Sequence, residues 1–332
     1  MRAEALGKGR SPAPGHDTHA WRRRNFAIGF ALAVVNTLIG AIQPVIVRYG
    51  ALHLDPLLFC AGAAVVAALF AAPTLYWQGE LEVLAQARYL PRLFMLSMAG
   101  TVMTSLTLIF GLEKINAVAG VLLLQSEPVY SILLATIVVG ERPSLRELTA
   151  TGAIVAGIGS VFVAGAAFSP AYAAILILLT PLFWQTSHVL SLKVMPPLSP
   201  MCITGARYIY AAFVLTAILL LFRSSALAQL ADPRALTVVL VTGFLIYFVG
   251  SLSWYAAISR LSLTWTTALV VPGIPILSIL FAVIFLGEHA TAREAIGVAI
   301  AVGGIVALVT GADAHRKLPP LEAAEAIHQP IS

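Results

Sequence analysis

Glu127 has the most unusual setting of any ionisable residue in this chain. It sits in the segment LLLQSEPVYSILL, inside an apolar run from about 115 to 139. Twelve residues lie on either side of it. At 1.5 Å of rise per residue it is about 18 Å from each end of such a helix, at the depth of a bilayer midplane. A carboxylate there costs several kcal/mol unless it is protonated, paired or wet. Two kinds of chemistry are open to it: exchanging a proton, or pairing with a cationic or donor group of a ligand. Gln125 and Ser126 add polar groups just before it. Pro128 just after it removes a backbone donor and frees a carbonyl one turn back. A competing reading is purely structural, with a protonated Glu127 bonded to a neighbouring helix.

A small set of polar and aromatic side chains shares this apolar setting. Arg207 lies about seven residues, ~10 Å, inside the end of its own apolar run. It reads either as an anchor whose side chain snorkels to the interface or as a charge partner for Glu127 or for an anionic substrate group. His188, in Gln185-Thr186-Ser187-His188, titrates near neutral pH when unperturbed and suits proton coupling; the alternative is a neutral, hydrogen-bonded core imidazole. Asn36, Thr37 and Gln43 lie in the first apolar run. Asn36 and Gln43 are seven residues apart and share a helix face, as lining of a polar path or as interhelical hydrogen-bonding groups. Trp184, Tyr208, Tyr247, Trp254 and Tyr255 read as an aromatic cage for a planar or cationic ligand or as interfacial belt residues.

Enzyme chemistry has little to stand on. HExxH, GxSxG, a P-loop and a DDxxD-type diphosphate site are all absent from the sequence. Cys60 and Cys202 sit inside apolar runs without metal-ligand spacing and read as small buried hydrophobes. No cofactor and no metal is expected. A membrane-embedded transferase without a recognisable motif is the remote alternative. A channel would show a filter or a repeated ring of charge, and neither is present.

The elements that must position these residues follow from composition. Of 332 residues, 59% are hydrophobic and only 11% are charged. A soluble domain carries about 25% charged residues, so this chain could not cover a water-facing surface. The reading is an all-α polytopic membrane protein. Apolar runs at 26–48, 57–77, 91–112, 115–139, 147–166, 171–192, 201–222, 236–257, 262–286 and 292–310 predict ten transmembrane helices. The breaks at 113–114 and 258–261 predict tight hairpins. With the N-terminus inside, fourteen of the twenty Arg and Lys fall on the cytoplasmic side, five fall outside and Arg207 lies within a span. That bias places both termini in the cytoplasm. The net charge of +5 therefore reports orientation and does not call for nucleic acid.

The ten spans are two copies of five. Residues 122–162 align with 269–309 at an offset of 147 without a gap, with 14 of 41 positions identical, including Pro128 on Pro275, Gly140-Glu141 on Gly287-Glu288 and Arg146-Glu147 on Arg293-Glu294. The second spans agree at an offset of 144. Because five is odd, the second copy enters the membrane from the opposite side. Such an inverted repeat is the architecture of secondary transporters, with the site near the midplane between the halves. The predicted organisation is a cytoplasmic tail at 1–25, repeats at 26–168 and 169–310, and a cytoplasmic tail at 311–332. Ser144-x-x-Glu147 and Thr291-x-x-Glu294 read as capping boxes at the starts of spans five and ten. Ala153, Gly157, Gly297, Ala301 and Gly303 read as close-packing positions.

The twin motifs, Pro128 to Gly140-Glu141 to Gly157 and Pro275 to Gly287-Glu288 to Gly304, make the chain resemble the EamA family of the drug/metabolite transporter (DMT) superfamily over about 26–310. The resemblance implies a secondary transporter of a small metabolite (an amino acid or related compound, or a drug-like molecule), an exporter in a bacterial inner membrane. Uptake or exchange by the same fold is the alternative. It also implies an Arg early in the second helix of each half. Arg207 fits, but the first-half counterpart is Ala63. The family's Trp-Gly pattern in the first helix is missing around Ile39-Gly40. The partners expected are the lipid bilayer and a small-molecule substrate, with the protein a monomer or homodimer.

Overall fold

The computed structural model describes residues 18–134, 136–137, 143–162, 170–194, 197–261, 266, 270, 272–289 and 291–315. Among them every regular element is helical: α1 (Thr18–His53), α2 (Pro56–Gln78), α3 (Leu90–Leu112), α4 (Ala117–Leu124), α5 (Glu127–Leu134), α6 (Leu145–Phe162), α7 (Ala171–Val194), α8 (Pro200–Arg223), α9 (Pro233–Leu261), α10 (Gly273–Leu286) and α11 (Ala292–His315). Among the described residues seven stretches are long and apolar enough to cross a membrane, α4 and α5 counting as one, and α10 is a shorter apolar helix. Large apolar side chains stand on the outside, Trp77 being 80% and Phe213 73% exposed. In water such a surface would drive aggregation; in hydrocarbon it is the expected face. Gly140-Glu141 and most of the two predicted tails fall outside the described residues.

Helix starts follow their residue chemistry. Asp55 Oδ1 accepts from the amides of Leu57 (2.9 Å) and Leu58 (3.2 Å), with Pro56 as the first residue of α2. Gly79 closes α2 in the left-handed region, at φ 70°. Ser199 and Asp232 start α8 and α9 in the same way, each before a proline. Both predicted capping boxes form. Glu147 Oε2 accepts from the Ser144 amide at 2.7 Å while Ser144 Oγ accepts from the Glu147 amide at 3.2 Å, and Thr291 with Glu294 repeats the exchange at 2.8 and 3.2 Å.

Three local departures correct the sequence reading. The fourth span is not one helix: it breaks at Gln125-Ser126, between α4 and α5. The predicted break at 258–261 is absent, because α9 continues through Leu261. The third helix of each half contains π-helical turns, at Met98–Met103 in α3 and Thr242–Gly250 in α9. The two π segments begin 144 residues apart, the same offset as the second spans. Backbone irregularity therefore obeys the repeat.

The packing obeys it too. α2 lies on α8, and α6 lies on α11, so like-numbered helices of the two halves meet. α1 packs mainly against α9 and α10 of the other half, and α7 packs against α3, α4 and α5. The first helix of each half is thus exchanged. At the α6–α11 crossing, a Cβ on Gly157 would stand 2.6 Å from the Gly297 carbonyl oxygen and 2.9 Å from the Ala301 amide nitrogen. Gly303, expected among the close-packing positions, has open space beside it, and Gly304 makes the approach instead, where a Cβ would stand 2.8 Å from the Ala150 carbonyl oxygen. Backbone cannot yield as a side-chain tip can. Gly157→Leu is therefore expected to destabilise the protein by about 1–3 kcal/mol, read as a lower melting temperature in detergent. Gly152→Leu, on the open face of the same helix, is expected to leave the melting temperature unchanged or raise it.

Candidate functional site

A cavity of about 140 Å³ lies between the halves. This is smaller than the roughly 300–1,000 Å³ of a drug-sized site. α1, α2, α3, α5, α7, α8, α9 and α10 all contribute to its wall, whereas α6 and α11 do not. Of the residues singled out from the sequence, Asn36, Gln43, Glu127, Trp184, His188, Arg207, Tyr208, Tyr247 and Trp254 line it, and Gln125, Ser126, Thr37 and Tyr255 do not.

Gln125 explains the break. The turn at 125–126 pairs the Gln125 amide with Leu122 O and the Ser126 amide with Leu123 O, three residues back. Val121 O then lacks its normal partner four residues on, and Gln125 Nε2 supplies it at 2.9 Å. Gln125 is buried against its own helix, so it repairs backbone and does not line the cavity. Pro128 has no amide to continue the ladder. Glu127 consequently stands at the amino end of α5, in the geometry of a discontinuous transporter helix.

Gln185 Nε2 donates to Glu127 Oε1 at 2.6 Å. Gln185 lies three residues before His188, a spacing that puts the two on the same helix face. Glu127 forms no ion pair with a described residue. The Glu127–Arg207 pair, one of the readings open for Arg207, is therefore absent, although both residues line one cavity.

Arg207 does not snorkel either. It is only 6% exposed and turns inward. Its Nε donates to Thr101 Oγ1 at 3.2 Å, Nη1 to the Tyr255 hydroxyl at 3.1 Å, and Nη2 to Gly100 O. The Gly100 carbonyl lies in the π turn of α3, where the ladder is locally shifted. The guanidinium carbon is 5.6 and 5.8 Å from the ring centres of Tyr208 and Tyr255, within cation–π range. Three of the five guanidinium N–H groups are thereby assigned, and no described carboxylate neutralises the charge.

Asn36 mirrors this arrangement in the other half. Its Nδ2 donates to Gly250 O, at the end of the π turn of α9, at 2.8 Å, and to Ser253 Oγ at 3.2 Å. One π turn is thus held by Arg207 and the other by Asn36. Thr37, by contrast, donates to Ala33 O of its own helix. Gln43 lines the cavity further along α1. Ile274, which the repeat sets against Glu127, faces the same space beside Gly40. Glu127 and Arg207 therefore each occur in one half only, and the cavity is chemically asymmetric within a symmetric frame.

The aromatic residues are not a belt. Trp184, Tyr208, Tyr247 and Trp254 line the cavity, and Tyr255 is fully buried against Arg207. His188 stacks on Trp254 with ring centres 5.1 Å apart, and Tyr208 stacks on Tyr247 at the same distance. Tyr208 also bonds Ser251 at 2.5 Å, and Tyr247 bonds Ser105 at 2.7 Å. Trp254 Nε1 is buried with no acceptor among the described residues. A buried donor without a partner is costly, and its residue lines the same cavity as the Arg207 guanidinium. Cys60 lines the wall, while Cys202 is buried away from it. Among the described residues no cluster of His, Cys, Asp and Glu has metal-binding geometry.

Comparison with known proteins places this geometry. The model of the EamA-like transporter family matches residues 27–163 and again 171–310. No curated protein sequence matches significantly. A crystal structure is similar with a TM-score of 0.63 and 15% identity, covering 87% of this chain and 99% of that one; at this identity the likeness concerns the fold alone.

Proposed function

Because the chain belongs to the EamA-like transporter family of the DMT superfamily, and is therefore an integral multi-pass membrane protein, we propose that it carries a small metabolite across the membrane by alternating access through the cavity between its halves. The observation that carries this reading is the asymmetric pair of charged groups, Glu127 and Arg207, lining one cavity in an inverted-repeat frame. Such a space fits a compact ligand with an anionic end toward Arg207 and the free Trp254 N–H, and a cationic or donor end toward Glu127. An amino acid or a related compound has these features. Asn36, Gln43, His188, Trp184 and Tyr208 complete the wall around it.

The same proposal includes ten spans, with repeats at 26–168 and 169–310 and both termini in the cytoplasm, supported by the Arg and Lys bias. It includes a bacterial inner-membrane location and the export direction, both supported by the resemblance. It takes the protein as a monomer or homodimer that works without nucleic acid. The test compares metabolites outside cells that express the chain with those outside cells that lack it. A compound that accumulates only with the intact chain, and not with Glu127→Gln or Arg207→Met, supports the proposal. Identical external profiles in both cell lines overturn it.

A further inference from the structure

The cavity wall on α1 runs from Asn36 through Gln43 to Val47. The next residue, Arg48, joins an ionic cluster that ties the two halves together. Arg48 Nη1 donates to Leu112 O at 2.5 Å and Glu113 O at 3.0 Å, at the carboxyl end of α3. Arg48 Nε lies 3.5 Å from Glu288 Oε1. Glu288 Oε2 in turn accepts from the amides of Ala117 (2.7 Å) and Val118 (3.3 Å), at the amino end of α4. Both side chains are largely shielded, at 15% and 16% exposure. The cation meets the negative end of one helix and the carboxylate the positive end of another, so each charge is favoured twice.

This cluster differs from the other ties between the halves. α2 and α8 are joined at both ends: the Asp55 amide donates to Gln229 Oε1 at 2.9 Å at one end, and Ser199 Oγ bonds Glu80 at the other. The Arg48–Glu288 cluster connects α1, α3 and the end of α10, which line the cavity, to α4, which does not. One of them, α4, has only eight residues. It reaches about 12 Å from Ala117 in the cluster to the break at Gln125-Ser126, beside Glu127.

We propose that Arg48, Glu288 and the amino end of α4 form the latch that closes the Val47 end of the cavity, and that the latch opens in the alternate conformation. The half-helix α4 links the latch to Glu127, so occupancy of the cavity and closure of this end act on the two ends of one rigid rod. The purpose of the opening rests on the transport reading. The opening itself is measurable without any substrate.

Cys60 is a built-in reporter. It lines the cavity near the start of α2 and is 1% exposed. In full-length protein carrying Cys202→Ala, reconstituted in lipid nanodiscs, its modification by a membrane-impermeant maleimide is expected to be slow. Glu288→Gln and Arg48→Gln are each expected to speed it by about tenfold, the shift in open population that follows from losing a largely shielded ion pair. Ala117→Pro is expected to act in the same direction. It removes one N–H that Glu288 binds, yet proline is well tolerated at the first position of a helix, so it tests the latch should either charge variant fail to fold. Arg223→Gln, which breaks the peripheral pair of Arg223 with Asp55 (4.0 Å), is expected to leave the rate unchanged. Unchanged labelling in every latch variant that folds overturns the proposal, as does an equal rise in Arg223→Gln. A failed metabolite test with faster Cys60 labelling would sink the transport reading and leave the latch standing.

Discussion

Glu127→Gln is expected to reduce export of the metabolite identified in the cell comparison by about 100-fold, the effect of losing the charged contact proposed between this carboxylate and the cationic or donor end of the ligand. The substitution is nearly isosteric, and its amide oxygen can still accept the hydrogen bond that Gln185 now donates at 2.6 Å. The helix break does not depend on the charge, because Gln125, Ser126 and Pro128 make it. The melting temperature should therefore hold within a few degrees while flux is lost. In proteoliposomes any residual flux is expected to be independent of pH, since an amide neither takes up nor releases a proton. Unchanged flux together with an unchanged pH profile would remove Glu127 from the mechanism.

Arg207→Met should have an effect of the same order on export, about 100-fold, but with a different signature. The methionine side chain can fill the space, yet Gly100 O, Thr101 Oγ1 and the Tyr255 hydroxyl all lose their donor. Each buried polar group left unpaired costs ~1–3 kcal/mol, so stability falls together with activity. Arg207→Lys separates the two effects. It keeps the positive charge but cannot present a planar fork to three acceptors at once. Lysine is expected to recover much of the lost stability and only part of the export, with apparent affinity weakened more than maximal rate. Full export with lysine would show that charge alone is needed. Full export with methionine would exclude Arg207 from ligand binding.

Much of this site was legible in the sequence because charge is so scarce in the spans. Glu127 and Arg207 stood out as ionisable groups that neither a loop, a cap nor the orientation bias explains, and both face the cavity. Asp55-Pro56 and the two capping boxes were readable because their chemistry is local, closed within three residues. What could not be read is who meets whom. Glu127 bonds Gln185, 58 positions away, and no spacing rule links them. The π turns are equally silent: MAGTVM and TGFLIYFVG contain no proline, and their shifted carbonyls are taken by Arg207 and Asn36 from distant helices. The exchange of α1 and α7 between halves was hidden as well, since an apolar run reports that a helix is buried in hydrocarbon and not which helix it touches.

The exchange of α1 also bears on how the protein is made. Asn36 reaches the membrane well before its hydrogen-bond acceptor on Gly250, which is 214 positions further on. At ~5–20 residues per second the ribosome needs roughly 10–45 s to supply it. During that time α1 stands without its native neighbours on α9 and α10, with an amide unsatisfied in or near hydrocarbon. The first helix must therefore be apolar enough to insert and wait alone, and Asn36 finds its place only when the second half arrives. Biogenesis of the two halves is consequently a single event, completed by the last helices and not by the first.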